Sequence, residues 1–248
     1  MMRPLALAVS ALALFCLTGC NNHRTTIFVP MPDGVQLRTE ITTPDNYPNG
    51  GPYPVILERS PYGRETARAE ADVWRQQGYV FVMQEIRGTS GSADPNVGAL
   101  FAADAWGTKQ DGKVMMDWLL GQSWCNAQIG TVGYSGPALG ETMLSGASQD
   151  VLAQVIERSP ASLYGTGAFV GGVPKGELDR AFWDLGAVWE QHPSYDTFWA
   201  TQDSVARAPQ ITAPALHIGG WYDLFVQGAI DGFKARQENG GARATLSW

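Results

Sequence analysis

Apolar runs typical of buried β-strands alternate with segments of helical period between residues 53 and 160. The runs YPVILERSP, YVFVMQEIRG, QIGTVGY and VLAQVIERSP read as strands. Between them, ETARAEADVWRQQG and DGKVMMDWLLGQ place apolar residues three and four positions apart, as on one face of a helix. Parallel strands need a helical crossover, so this alternation predicts an α/β protein with a mostly parallel sheet and helices on both faces.

Two segments interrupt or flank this pattern. The turn signal Pro32–Gly34 lies between two β-type runs and predicts an N-terminal antiparallel hairpin. Residues 161–209 are Gly- and aromatic-rich, and we expect them to form a short cap inserted into the sheet domain. The sheet domain would then comprise residues 20–160 and, after the cap, residues 210–248.

The first residues of the chain are typical of an export signal. Arg3 precedes an apolar run that is too short for a comfortable membrane-spanning helix. The sequence LTGC, which ends at Cys20, resembles the bacterial lipobox, and this predicts a signal peptide over residues 1–19 and a lipid on Cys20. A plain secretory signal with a chance cysteine is the alternative. We therefore expect an exported protein of the bacterial cell envelope, anchored by lipid on the periplasmic or extracellular face.

Charge and cysteine content exclude several classes of partner. The formal net charge is −7, and no Lys/Arg-rich stripe is present to neutralise a nucleic acid backbone. Of the three cysteines, Cys16 leaves with the signal and Cys20 carries the lipid, so Cys125 is left as a lone thiol without a disulfide partner. No His/Cys cluster has metal-ligand spacing, and the sequence implies neither a metal nor an organic cofactor.

The stretch GYSGP places Ser135 at a junction between a strand and a helix, as in the G-x-S-x-G nucleophile elbow. Gly133 supplies the small residue that lets strand and helix approach closely. Pro137 stands where the second glycine is usual, but proline is tolerated in the first turn of a helix because its missing N–H has no partner there. A helix N-cap is the alternative role for Ser135.

Six segments resemble, in chain order, the motifs of one hydrolase family. VPMPDGVQL is similar to its opening hairpin, RSPYGR to its oxyanion-tyrosine segment, and EIRGTSGS to its D-x-R-G loop, with Glu85 where aspartate is usual. WCNAQIGTVGYS is similar to the run that ends in the nucleophile, EQHPSYDTFW to a segment at the end of the cap, and GGWYD to the segment with the triad acid. The family is the cocaine esterase-like (CocE/NonD) serine hydrolases, related to the Xaa-Pro dipeptidyl-peptidases and α-amino-acid ester hydrolases. The resemblance implies an α/β-hydrolase fold.

The resemblance also implies roles for four residues. Ser135 would be the nucleophile, and Asp223 the acid that orients the catalytic histidine. The Tyr62 hydroxyl and the backbone N–H of Gly136 would form the oxyanion hole. Asp223 follows a strand and precedes a helix, which suits a catalytic loop but suits a helix N-cap as well.

None of the three histidines, His23, His192 and His217, follows Asp223 in the sequence, whereas the base does so in this fold. We expect His23 to be solvated, His192 to pack within the cap and His217 to be a core histidine facing a helix layer. In the family the base follows the final strand, in a G-P-W-[ST]-H segment. Trp248 either corresponds to the tryptophan of that segment or belongs to sequence from a shifted reading frame. The expectation is a truncated chain that lacks the last strand and the family's C-terminal jelly-roll domain, and that folds poorly or aggregates.

These observations lead to two functional hypotheses. The first is a serine hydrolase that cleaves an ester or amide bond through an acyl-enzyme, acts on small esters, amides or short peptides, and is inactive or weakly active as this fragment. Tryptophans of the cap, Trp183, Trp189 and Trp199, would shape an apolar pocket or would pack the cap's own core. The second is a lipid-anchored binding or scaffold protein that keeps the architecture without the catalysis.

Overall fold

The computed structural model describes residues 23–92, 106–138, 144, 148–162, 169–170, 173–174, 191–223, 225–239 and 243–247. An eight-stranded sheet forms its centre. Its strands are β1 (Arg24–Pro30), β2 (Gln36–Thr42), β3 (Tyr53–Ser60), β4 (Val80–Glu85), β5 (Cys125–Tyr134), β6 (Val151–Glu157), β9 (Ala215–Ile218) and β10 (Ala244–Ser247). Two short strands, β7 (Phe169–Val170) and β8 (Val173–Pro174), pair separately in antiparallel fashion.

The strand order in the large sheet is β1-β2-β4-β3-β5-β6-β9-β10. The pairs β1–β2 and β2–β4 are antiparallel, and every other pair is parallel. The predicted α/β fold, with a mostly parallel sheet and an antiparallel N-terminal hairpin, is therefore confirmed. Gly34, at a φ of 88°, makes the tight turn of that hairpin, a conformation that is unfavourable for residues with a Cβ atom.

Helices cover both faces of the sheet. They are α1 (Arg68–Gln76), α2 (Asp111–Leu120), α3 (Thr197–Ala200) and α4 (Val226–Asn239), and the chain is also helical at 136–138. Val55 and Leu57 of β3 pack in one core cluster with Met115 and Leu119 of α2. Ile56, between them in sequence, packs in a second cluster that includes residues just before and within α1. Because successive strand residues point to opposite faces, α1 and α2 lie on opposite sides of the sheet.

The final strand corrects an expectation from the sequence. We expected the last strand to be missing, but Ala244–Ser247 form β10, which pairs in parallel with all four residues of β9. The N–H of Ala215 donates to the Arg243 carbonyl, and the N–H of Gly219 donates to the Ser247 carbonyl, both at 3.0 Å.

The sheet gathers the candidate functional residues at one edge. Tyr62 follows β3, Ser135 follows β5, Arg158 follows β6 and Asp223 follows β9. These four strands are parallel neighbours, so their carboxyl ends lie side by side. In open α/β sheets this edge is where ligands bind.

Candidate active site

Ser135 lies on a sharp turn that the backbone reaches only with strain. Its φ is 64°, in the left-handed region that residues with a Cβ seldom adopt. The N–H of Ser135 donates to the Glu157 carbonyl of β6 at 2.9 Å, and the chain becomes helical at Gly136. Non-glycine residues held in this conformation cost of order 1–3 kcal/mol each and cluster at functional sites. The geometry is that of a nucleophile elbow.

Two neighbours of Ser135 explain how this turn closes. A Cβ atom on Gly133 would lie 2.6 Å from backbone atoms of Pro137 and Ala138, so only glycine fits where strand and helix cross. Pro137 is the second helical residue, a position at which the backbone N–H has no intrahelical acceptor. Proline therefore replaces the usual second glycine of the motif without breaking the helix.

Tyr62 reaches Ser135 across the sheet edge. Its hydroxyl oxygen lies 3.2 Å from Ser135 Oγ, and it accepts a hydrogen bond from the Gly136 N–H at 3.3 Å. The Tyr62 side chain is 41% exposed, so the site is open to solvent. The hydroxyl and the N–H predicted to bind an oxyanion thus converge beside the predicted nucleophile.

Asp223 occupies the end of β9, where its carboxylate makes two different contacts. Oδ1 accepts a hydrogen bond from the Phe225 N–H at 2.7 Å, as a residue that caps α4 would do. Oδ2 lies 3.0 Å from Nε of Arg158. The bond to Phe225 closes the turn before α4, which begins at Val226, and both the capping role and the triad role of Asp223 stay predictions.

Arg158 was not singled out from the sequence. Its Nη1 donates to the Tyr134 hydroxyl at 2.7 Å, and its guanidinium carbon lies 5.3 Å from the centre of the Tyr134 ring. Like Ser135 it has a positive φ, here 50°. Arg158 thus joins the residue before Ser135 to the carboxylate of Asp223. No sequence motif marks such a contact, because Arg158 follows β6 whereas its two partners lie at the ends of β5 and β9.

The three histidines contact other groups. His23 lies 3.4 Å from Asp45, and His192 Nδ1 lies 2.6 Å from Asp196 Oδ2 while its ring stacks on Phe198. His217 is 2% exposed, and burial together with the nearby Arg236 lowers its pKa to about 3. It packs edge-on against Phe233 of α4, as expected for a core histidine. No hydrogen bond or ion pair joins any of the three to Ser135 or Asp223 within the described ranges.

Other predicted residues have the following positions. Cys125 is a partly buried free thiol at the start of β5, and burial raises its pKa. Trp199 is 1% exposed and donates from its indole N–H to the His192 carbonyl, so it packs against the segment that contains His192. Cys20, Trp183 and Trp189 lie outside the described residues.

No group of three or more His, Cys, Asp or Glu residues in the described part of the chain is arranged to hold a metal ion. None of the described helices is both long and apolar enough to cross a membrane.

Comparison with known proteins shows the family to which the chain belongs. Residues 33–177 and 170–247 match the family model described as X-Pro dipeptidyl-peptidase (S15 family). The chain is 25% identical to cocaine esterase from Rhodococcus sp. (strain MB1 Bresler), in an alignment that covers 89% of this chain and 47% of that enzyme. The chain thus spans about half the length of this curated relative.

Solved structures show the same fold. A CocE/NonD family hydrolase from Staphylococcus aureus superposes with a TM-score of 0.70 at 23% identity, over 90% of this chain and 44% of that one. Acylaminoacyl peptidase from Pyrococcus horikoshii superposes with a TM-score of 0.69 at 15% identity, over 90% of this chain and 36% of that one. The family model covers most of the chain. This chain therefore belongs to the X-Pro dipeptidyl-peptidase (S15) family, which has the α/β-hydrolase fold and in which it resembles the CocE/NonD hydrolases.

Proposed function

We propose that this protein is a serine hydrolase in which Ser135 attacks the carbonyl carbon of an ester or amide. The observation that carries the proposal is the convergence of three groups at a strained elbow. The Tyr62 hydroxyl lies 3.2 Å from Ser135 Oγ and 3.3 Å from the Gly136 nitrogen. A non-catalytic protein has no need for a serine held at positive φ beside two hydrogen-bond donors.

The reaction would run in two steps. Attack by Oγ forms a bond to the carbonyl carbon and puts the negative charge on the carbonyl oxygen, where Tyr62 and the Gly136 N–H stabilise it. Collapse of this intermediate breaks the bond to the alcohol or amine and leaves an acyl group on Ser135, which water then removes. The Ser135 proton passes to a general base, and Asp223 is the residue that would orient this base. The contacts of His23, His192 and His217 do not favour any of them as that base.

The substrates we propose are small esters, amides or short peptides. Support comes from the family and from the relatives, which are described as an X-Pro dipeptidyl-peptidase family and a cocaine esterase. The site is open, with exposed aromatic side chains around it: Tyr62, Tyr134, Trp221 and Tyr222. Such a rim suits substrates with an apolar acyl or leaving group.

A non-catalytic binding or scaffold protein is the second candidate. The observation in its favour is that the Oδ2 atom of Asp223, which would orient a base, is engaged by Arg158 at 3.0 Å. The joint presence of Ser135, Tyr62 and Asp223 at one sheet edge argues against it.

A fluorophosphonate probe separates the two candidates, because it reacts with activated serines. A hydrolase is labelled, and Ser135→Ala abolishes the labelling while Ser123→Ala, which alters an exposed serine in a turn, does not. A well-folded sample that is not labelled at Ser135 would favour the scaffold.

We further propose that the protein is exported and anchored in the membrane by a lipid on Cys20. The LTGC sequence supports this. Expressed with residues 1–22, the wild-type protein should sediment with membranes and release on treatment with detergent. Cys20→Ala should abolish membrane association, whereas Cys125→Ala should not. Membrane association that survives Cys20→Ala would refute the lipid anchor.

A further inference from the structure

The carboxylate of Glu85 holds three separate segments of the chain together. Glu85 is the last residue of β4 and is fully buried. Its Oε1 accepts hydrogen bonds from Arg38 Nη2 at 2.6 Å and from the Arg64 backbone N–H at 3.1 Å. Its Oε2 accepts hydrogen bonds from Arg38 Nε and from the Gly91 backbone N–H, both at 2.7 Å. Four donors therefore surround one buried charge.

One of these donors belongs to the turn that carries Tyr62. Arg64 is two residues beyond Tyr62, and between them Gly63 has a φ of 89°. A Cβ atom on Gly63 would lie 3.3 Å from the Ser90 hydroxyl, so this turn packs closely against the loop that follows Glu85. The Tyr62 N–H donates to Ser60 Oγ at 3.2 Å, which fixes the start of the same turn. The carboxylate thus ties the Tyr62 turn to β2 and to the loop after β4.

The chemistry of this site requires both the charge and the length of glutamate. The two-pronged contact with Glu85 raises the pKa of Arg38, and such paired, charge-assisted bonds keep a buried carboxylate in place. Glutamine has a single acceptor oxygen and would turn an NH₂ group toward donors. Aspartate is one methylene shorter, so its carboxylate cannot reach all four donors from the same backbone position.

We propose that Glu85 is a positioning residue that holds the Tyr62 hydroxyl beside Ser135 and the Gly136 N–H. This rests on the proposed function, in which Tyr62 stabilises the oxyanion. Glu85 does not touch the substrate. It acts by fixing the turn from which the Tyr62 side chain extends to its position 3.2 Å from Ser135 Oγ.

The test compares rates of fluorophosphonate labelling in a double-mutant cycle. Glu85→Gln should lower the labelling rate roughly 10- to 100-fold, since removal of a whole oxyanion donor costs about 10²–10³-fold. In a Tyr62→Phe background the same change should have little further effect, because the group that it positions is gone. Glu85→Asp, which keeps the charge next to Arg38, should fall between wild type and Glu85→Gln, and it is the variant to use if Glu85→Gln does not fold.

Asp111→Asn is the matched control. Asp111 is a buried carboxylate that accepts hydrogen bonds from Arg87 Nε at 2.7 Å and Nη2 at 2.8 Å, and neither of these bonds involves the Tyr62 turn. Asp111→Asn should lower the melting temperature without slowing the labelling of the folded protein. A Glu85 variant that slows labelling equally in the wild-type and Tyr62→Phe backgrounds, or not at all, would overturn the inference.

Failure of the proposed function has a different signature. If Ser135→Ala is labelled as fast as wild type, the function itself is wrong. If Ser135 is labelled and Tyr62→Phe slows the reaction but Glu85→Gln does not, only the role of Glu85 is wrong.

Discussion

Replacement of Gly133 by alanine should displace Ser135, the proposed nucleophile. The added Cβ would lie 2.6 Å from the Pro137 carbonyl carbon and the Ala138 nitrogen, about 0.8 Å below the 3.4 Å at which ordinary contact begins. Both atoms are backbone, and Ala138 is fully buried, so no side chain can rotate away. Strand β5 and the helix that starts at Gly136 must separate, and Ser135 lies on the turn between them.

The size of the effect follows from the displacement. Overpacking of this kind costs about 1–3 kcal/mol of stability, which corresponds to a melting temperature lower by roughly 3 to 10 °C in a protein of this size. A shift of about 1 Å in a catalytic group can cost about 10²-fold in rate. We therefore expect Gly133→Ala to be labelled by a fluorophosphonate about 100-fold more slowly than wild type, when measured well below its melting temperature.

Gly121→Ala is the control for this prediction. Gly121 ends α2 with a helical φ of −78°, and its added Cβ would meet no atom closer than 3.4 Å. This variant should keep the wild-type rate. A Gly133→Ala protein with an unchanged melting temperature and an unchanged labelling rate would refute the geometry that we assign to the elbow.

Two further predictions concern Tyr62 and Glu58. Tyr62→Phe removes the hydroxyl that lies 3.2 Å from Ser135 Oγ and should slow labelling about 10²–10³-fold. It should not lower the melting temperature, because Tyr62 is 41% exposed. Labelling of this variant at the wild-type rate would contradict the prediction. Burial, with a smaller contribution from the charge of Glu70, raises the pKa of Glu58 from 4.5 to about 8. The contribution of Glu58 to the free energy of unfolding is therefore fully present below pH 4.5 and is lost as the pH rises through 8. Each pH unit between these pKa values is worth about 1.4 kcal/mol, so Glu58→Gln should raise the free energy of unfolding at pH 9 by up to roughly 3–5 kcal/mol relative to wild type and leave it unchanged at pH 4. Equal free energies of unfolding for the two proteins at pH 9, measured by urea unfolding, would contradict the raised pKa of Glu58.

Local patterns predicted the elements that position the site. The helical spacing of Val114, Met115, Trp118 and Leu119 identified the face of α2 that packs on the sheet. The sequence around Ser135 placed the elbow between a strand and a helix, because the small Gly133 and the tolerated Pro137 are local requirements. The structure of such segments can therefore be predicted from their own residues.

Contacts between distant segments could not be predicted in the same way. Arg158 meets Tyr134 and Asp223 only because β5, β6 and β9 are neighbours in the sheet. The four donors around Glu85 likewise come from three segments, and its position in the D-x-R-G-like loop did not indicate them. The last strand was expected to be missing because the resemblance placed the family's final strand only at the end of this sequence, and it is the pairing with β9 that identifies Ala244–Ser247 as β10.

Acylation of Ser135 tests the central claim most directly. The folded protein would be mixed with p-nitrophenyl acetate, quenched in acid at intervals and digested, and the peptides would be analysed by mass spectrometry. The account predicts that one acetyl group appears on the peptide containing Ser135, and that it forms more slowly in Tyr62→Phe and not at all in Ser135→Ala. An unmodified Ser135 in the folded protein, or acetylation that is unchanged in Ser135→Ala, would contradict it.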